Sequence, residues 1–137
     1  MLRLSKLTDY STVIMSYMAQ EPGGVHSAAQ MAAALGIAAP TASKILKMLA
    51  RGDLVLSQRG AKGGYLLARP PEQISIAEVI AAMEGPLGVT ECSIVTGLCA
   101  LEADCSIRNH WRHLNQVVRH SLDQVTLADM NRPQGEN

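Results

Sequence analysis

Three cysteines, Cys92, Cys99 and Cys105, fall within fourteen residues of this 137-residue chain, and the sequence holds no others. Their spacing is neither the paired Cys-x2–4-Cys of a zinc finger nor the Cys-x-x-Cys of thioredoxin-like chemistry. An odd, clustered set of thiols also argues against a disulfide framework. Soft sulfur on one loop suits an iron–sulfur cluster, with zinc or free buried thiols as the simpler alternatives. A fourth ligand must come from elsewhere. His110 and His113 lie just downstream, and Asp9 is distant in sequence.

A second group of residues bears charge instead of sulfur. Pro40 suits the first turn of a helix. On a wheel of 100° per residue, Ala42, Ile45, Leu46 and Leu49 share a sector of about 100°. Pro40, Ser43, Lys44, Lys47 and Arg51 lie opposite. Upstream, Ser27-Ala-Ala-Gln30 has the pattern of a capping box and opens a short helix through Leu35, which Gly36 ends. Downstream, Leu54–Leu56 and Tyr65–Leu67 read as short strands around the basic, glycine-rich turn Gln58–Gly64. Two helices, a tight turn and a hairpin in this order predict a winged helix-turn-helix over residues 1–70.

That arrangement predicts double-stranded DNA as the partner. Thr41 and Ser43 stand in the half of the helix that reads base edges, while Lys44, Lys47 and Arg51 neutralise phosphates. At the wing, Arg59 can enter the minor groove, and Lys62 and Gly63 can approach phosphate, the glycine through its bare backbone N–H. The charge distribution agrees. Net charge is zero, yet residues 1–69 carry eight Lys and Arg against three acids, and residues 70–137 carry four against nine. A basic half joined to an acidic half predicts one surface that meets a polyanion.

The elements that must position these groups follow from periodicity. Leu7, Tyr10, Ile14, Tyr17 and Met18 predict a helix over 7–20. Ser75-Ile-Ala-Glu78 is a second capping box and opens a linking helix, within residues 71–86, that runs to about Glu84. Residues 87–106 have no period and read as the cysteine loop. From Ile107, the positions Ile107, Trp111, Leu114, Val118, Leu122 and Val125 form a seam only about 80° wide, close to a coiled-coil stripe. Arg108, Arg112, Asn115, Gln116, Arg119 and Asp123 take the other side. Residues 107–130 are therefore read as a long C-terminal helix with its following segment, and residues 131–137 as a flexible tail.

The fold class predicted is mainly α with a small β-hairpin. The core must be aliphatic, because the chain has no Phe. Met15, Met18, Met31, Met48 and Met83 read as gap fillers within it, and His26 as a loop residue. No apolar run approaches the roughly 20 residues that cross a membrane, and the first residues lack a signal-peptide pattern, so a cytoplasmic protein is expected. With no nucleophile–base pairing and no nucleotide loop, catalysis is not expected.

The chain resembles the IscR/NsrR-type (Rrf family) iron–sulfur transcription regulators over nearly its whole length. The residues that carry the resemblance are Leu4-Ser-Lys-Leu-Thr-Asp-Tyr10, Arg59-Gly-Ala-Lys-Gly-Gly-Tyr-Leu-Leu67 at the wing, Ile76-Ala-Glu-Val-Ile80, the three-cysteine loop and Thr126-Leu-Ala-Asp129. It is most similar to the branch that regulates SUF-type assembly genes. The resemblance implies a homodimer that pairs through the long helix and binds a palindromic operator as a repressor. It also implies a redox-sensing cluster on Cys92, Cys99 and Cys105. IscR-like members place a histidine three residues after the third cysteine. Here that residue is Arg108, which cannot ligate. NsrR-like members use an N-terminal aspartate, which matches Asp9, so Asp9 leads as fourth ligand with His110 second, and a four-iron cluster leads over a two-iron one. A thiol-based or nitric-oxide-responsive regulator without a cluster is the alternative.

Overall fold

A computed structural model describes residues 3–88 and 106–133. Helix α1 (Lys6–Ala19) starts at Ser5, whose hydroxyl accepts the Thr8 N–H. Helix α2 (Ala28–Leu35) starts at Ser27, which accepts from the Gln30 N–H, and ends at Gly36 with φ of 69°, a conformation cheap only for glycine. Helix α3 (Ala39–Arg51) follows directly. Strands β1 (Val55–Gln58) and β2 (Gly64–Leu67) then pair antiparallel, Val55 opposite Leu67 and Gln58 opposite Gly64. The strands reach further into the basic segment than the apolar triplets suggest, and the turn between them is Arg59–Gly63.

A 3-10 turn (Pro71–Gln73) leads to α4 (Ile76–Glu84), where Ser75 and Glu78 complete the capping box in both directions. The core beneath these elements is aliphatic, as expected. Ile14, Met15, Met31, Ile45, Leu46 and Leu49 are fully buried in it. Helix α4 sits against α1 and α3. A Cβ added at Gly52 would stand 2.8 Å from the Ala82 Cβ, so this glycine lets the end of α3 press onto α4. Its φ of −85° needs no glycine.

The last position of the apolar seam, Val125, falls outside the long helix. Helix α5 (Arg108–Gln124) stops before Val125. Val125 is extended, and its carbonyl accepts the Ile76 N–H at 2.8 Å; the Leu127 N–H donates to the Ile74 carbonyl, also at 2.8 Å. A last short helix, α6 (Leu127–Met130), is capped reciprocally by Thr126 and Asp129, and Leu127 is fully buried in the core. The Thr126-Leu-Ala-Asp129 motif is therefore the capping box of an anchor. The tail beyond residue 133 lies outside the described residues.

Two side chains depart from expectation. Asn115, read as part of the polar face of α5, is buried and donates to the Leu87 carbonyl at 3.2 Å. The apolar seam straddles the edge of the packed face instead: Trp111, Val118 and Leu122 are half-buried, while Ile107 and Leu114 are about half exposed. His26, read as a loop residue, is 5% exposed, and its backbone forms a two-bond bridge with Tyr65 of β2.

Because Leu127 alone plugs the core from this segment, Leu127→Ala is expected to cost about 2–5 kcal/mol. Chemical denaturation checks this; a loss below 1 kcal/mol, on the order of a surface change, would detach α6 from the core.

Candidate nucleic-acid interface and cysteine segment

The outward face of α3 consists of two ridges of the i, i+4 kind, Pro40–Lys44–Met48 and Ser43–Lys47–Arg51. These six residues line one open groove of about 560 Å³. Lys44, Lys47 and Arg51 are exposed, and α3 contains no acidic residue to neutralise them. Thr41 is half-buried and is not among the residues that line the groove. Met48 is the reverse case. Read as a core filler, it touches the core with one side and lines the groove with the other. Its place one turn beyond Lys44 was the available signal.

Arg59 and Lys62 are exposed at the tip of the wing. Gly63 is half-buried, and the structure gives it a job within the hairpin: a Cβ there would meet the Gln58 carbonyl at 2.3 Å, while its N–H donates to the Gly60 carbonyl at 3.0 Å. That N–H is thus committed to the turn, contrary to its expected use on phosphate. Behind the wing, the His26 ring meets Tyr17 edge to face at 5.3 Å, and neither ring nitrogen has a hydrogen-bond partner among the described residues. This aromatic contact and the His26–Tyr65 bridge fix the hairpin to the body.

Not every basic residue of the first half belongs to this surface. Arg69 pairs with Glu78 at 3.0 Å and donates to the Gln73 carbonyl at 2.9 Å. Burial pushes the Glu78 carboxyl up, but the Ser75 N–H and Arg69 outweigh it and hold the group below the ordinary glutamate range. Arg69 is thus spent on joining the wing domain to α4.

Cys92, Cys99 and Cys105 lie outside the described residues. The two roots of their segment are described. Gly85 ends α4, and the Leu87 carbonyl is held by Asn115. The Ser5 N–H donates to the Glu84 carboxylate at 2.7 Å, and this bond chiefly holds Glu84 below its usual range. It brings the first turn of α1, which carries Asp9, to the end of α4 where the cysteine segment leaves. Asp9, His110 and His113 are exposed. Among the described residues no three His, Cys, Asp or Glu side chains are grouped to hold a metal ion. No described helix is long and apolar enough to cross a membrane.

The family model for Rrf2, described as an iron-dependent transcriptional regulator, matches residues 4–133. The chain belongs to the Rrf2 family. It is 35% identical over 130 residues to the Mycobacterium tuberculosis protein Rv1287, named as an HTH-type transcriptional regulator, covering 94% of this chain and 81% of that one. CymR of B. subtilis, the global cysteine regulator, has a solved structure similar at a TM-score of 0.75, with 29% identity over 96% of this chain and 97% of that one. IscR of T. potens is similar at a TM-score of 0.71, with 30% identity over 94% and 85%. This Rrf2 protein is a transcriptional regulator of winged-helix fold, as its family and relatives are, and not an enzyme.

The wing's seat on the body yields a test. A Cβ at Gly64 would stand 2.4 Å from the His26 carbonyl oxygen. Gly64→Ala is expected to lower stability by about 1–3 kcal/mol through this backbone clash. Thermal unfolding reads it; an unchanged midpoint would mean that the wing is not seated on His26.

Proposed function

We propose that this Rrf2 protein is a cytoplasmic, homodimeric repressor of iron–sulfur cluster biogenesis genes, which reads a palindromic operator and senses cluster, iron or redox status through its cysteine segment. The observation that carries the DNA reading is the acid-free cationic groove of α3 beside a wing tipped by Arg59 and Lys62. Lys44, Lys47 and Arg51 there serve phosphate and base contacts, with Ser43 and Thr41 as polar readers. Gly63 acts by shaping the wing.

Dimerisation is supported by α5. Ile107, Leu114 and Val117 are 47–49% exposed along it. A second copy covering this strip would place two recognition helices about a two-fold axis, the arrangement a palindromic site requires.

Cys92, Cys99 and Cys105 would hold the cluster, with Asp9 as fourth ligand to a four-iron form and His110 as the alternative. The donor chemistry fits, since three thiolates suit iron–sulfur ligation and the exposed Asp9 carboxylate can complete the set. When bound, such a cluster supplies metal–sulfur links that oxidation or iron loss breaks. The chain's own residues do the rest. Asn115 ties the segment's first root to α5, and Glu84 ties the end of α4 to the start of α1, so this root is coupled to α1 and α4, which pack on α3.

A second reading, a thiol switch without a cluster, is favoured by the similarity to CymR, a cysteine regulator of the same fold.

Lys47→Ala is expected to weaken binding to all DNA sequences alike and to reduce the slope of log affinity against log salt by about one. An unchanged slope would remove Lys47 from phosphate. Cys99→Ser is expected to abolish the visible absorption of anaerobically purified protein while leaving a folded dimer by size-exclusion chromatography. A coloured variant would remove Cys99 from the ligands, and a colourless parent protein with reactive thiols would support the second reading.

A further inference from the structure

The groove on α3 has a chemistry that narrows which bases it can read. No residue from Gly36 to Arg51 is Asn, Gln, Asp or Glu. The amides that bond adenine bidentately through N6 and N7, and the carboxylates that accept from the cytosine amino group, are therefore absent from the recognition helix, which leaves the Thr41 and Ser43 hydroxyls as its uncharged polar groups. The two ridges of the groove also differ from each other. Ser43–Lys47–Arg51 is polar throughout. Pro40–Lys44–Met48 holds one cation between two apolar side chains, and all six face the same space. Pro40 sits in the first turn of α3, where proline suits a helix start, and it is exposed on the side away from the buried face formed by Ala42, Ile45, Leu46 and Leu49. The helix is also started by Ala38, without the hydroxyl cap that begins α1, α2, α4 and α6. Its leading turn thus turns apolar groups toward solvent at some cost to the helix.

We infer that Pro40 is a specificity-determining residue that packs on the C5-methyl group of a thymine, while Lys44 bonds the O6 and N7 of a guanine in the same half-site. A thymine methyl is the one apolar group on the major-groove edge of a base pair, and guanine is the base whose edge offers two acceptors to a lysine. Pro40 and Lys44 are four residues apart, a rise of about 6 Å, which keeps the two bases within about two base pairs of each other. The inference rests on the DNA-binding reading above and adds the readout to it.

The test uses the full-length protein and its own selected site. Duplexes enriched from a random library define the half-site. Each thymine is then replaced singly by deoxyuridine, which keeps the hydrogen bonds and removes only the methyl. One thymine per half-site, within about two base pairs of an enriched guanine, is expected to lose about three- to fivefold in affinity, the scale of one buried methyl group. Pro40→Ala is expected to bind more weakly and to remove the difference between thymine and deoxyuridine at that position. The inference is overturned if no deoxyuridine replacement changes affinity, or if the penalty persists undiminished in Pro40→Ala. Failure of the underlying reading looks different: no sequence is enriched and no salt-dependent binding appears, and the inference falls with it.

Discussion

Two backbone hydrogen bonds hold the architecture together, Ile76 N–H to the Val125 carbonyl and Leu127 N–H to the Ile74 carbonyl, each 2.8 Å. They close α4, the cysteine segment and α5 into one loop whose ends meet beside the core. Without them, the C-terminal end of α5 would lose its backbone tie to the body, and its packing on α4 would have to hold it. With them, the buried Leu127 side chain locks the far end of α5 to the base of α4. A shift of either root of the cysteine segment must therefore be taken up by α4, α5 or both. Helix α4 is pressed on α3 at Gly52 and Ala82, so the strain reaches the recognition helix through direct packing.

The electrostatics are divided along the same lines. Arg69 and Glu78 neutralise each other where the wing domain meets α4, and their partial exposure makes the pair worth little as stability. Its value is to keep a cation away from the DNA face and to set the start of α4. Lys44, Lys47, Arg51, Arg59 and Lys62 remain exposed on α3 and the wing. No acidic residue lines the groove of α3. A near-neutral chain can therefore hold a strongly polarised surface.

Much of this was legible in the residues. The buried and cationic faces of α3 follow from a 3.6-residue period, and the starts of α2 and α4 follow from Ser27 and Ser75. What escaped depended on contacts distant in sequence. The burial of His26 comes from pairing with Tyr65, and that of Leu127 from docking against Ile74; neither leaves a local period. A four-residue helix such as α6 is too short to show one. Asn115 was misplaced because the apolar seam of α5 is centred on the boundary between its packed and open faces, so the inward direction could not be read from hydrophobicity. Ser5 caps α1 and also reaches Glu84, and only the cap has a sequence signature. The three cysteines stand out as a candidate ligand set by residue type and clustering alone, and they lie outside the described residues.

The central claim is that the state of the cysteine segment sets DNA affinity through α4 and α5. The direct measurement is the affinity of one anaerobic preparation for one selected operator, before and after iron is removed by chelation, with the visible spectrum recorded alongside. The account predicts a coloured protein whose affinity changes at least about fivefold when the colour is lost, the lower end of ordinary coupling between sites. A coloured protein whose affinity stays the same would contradict it.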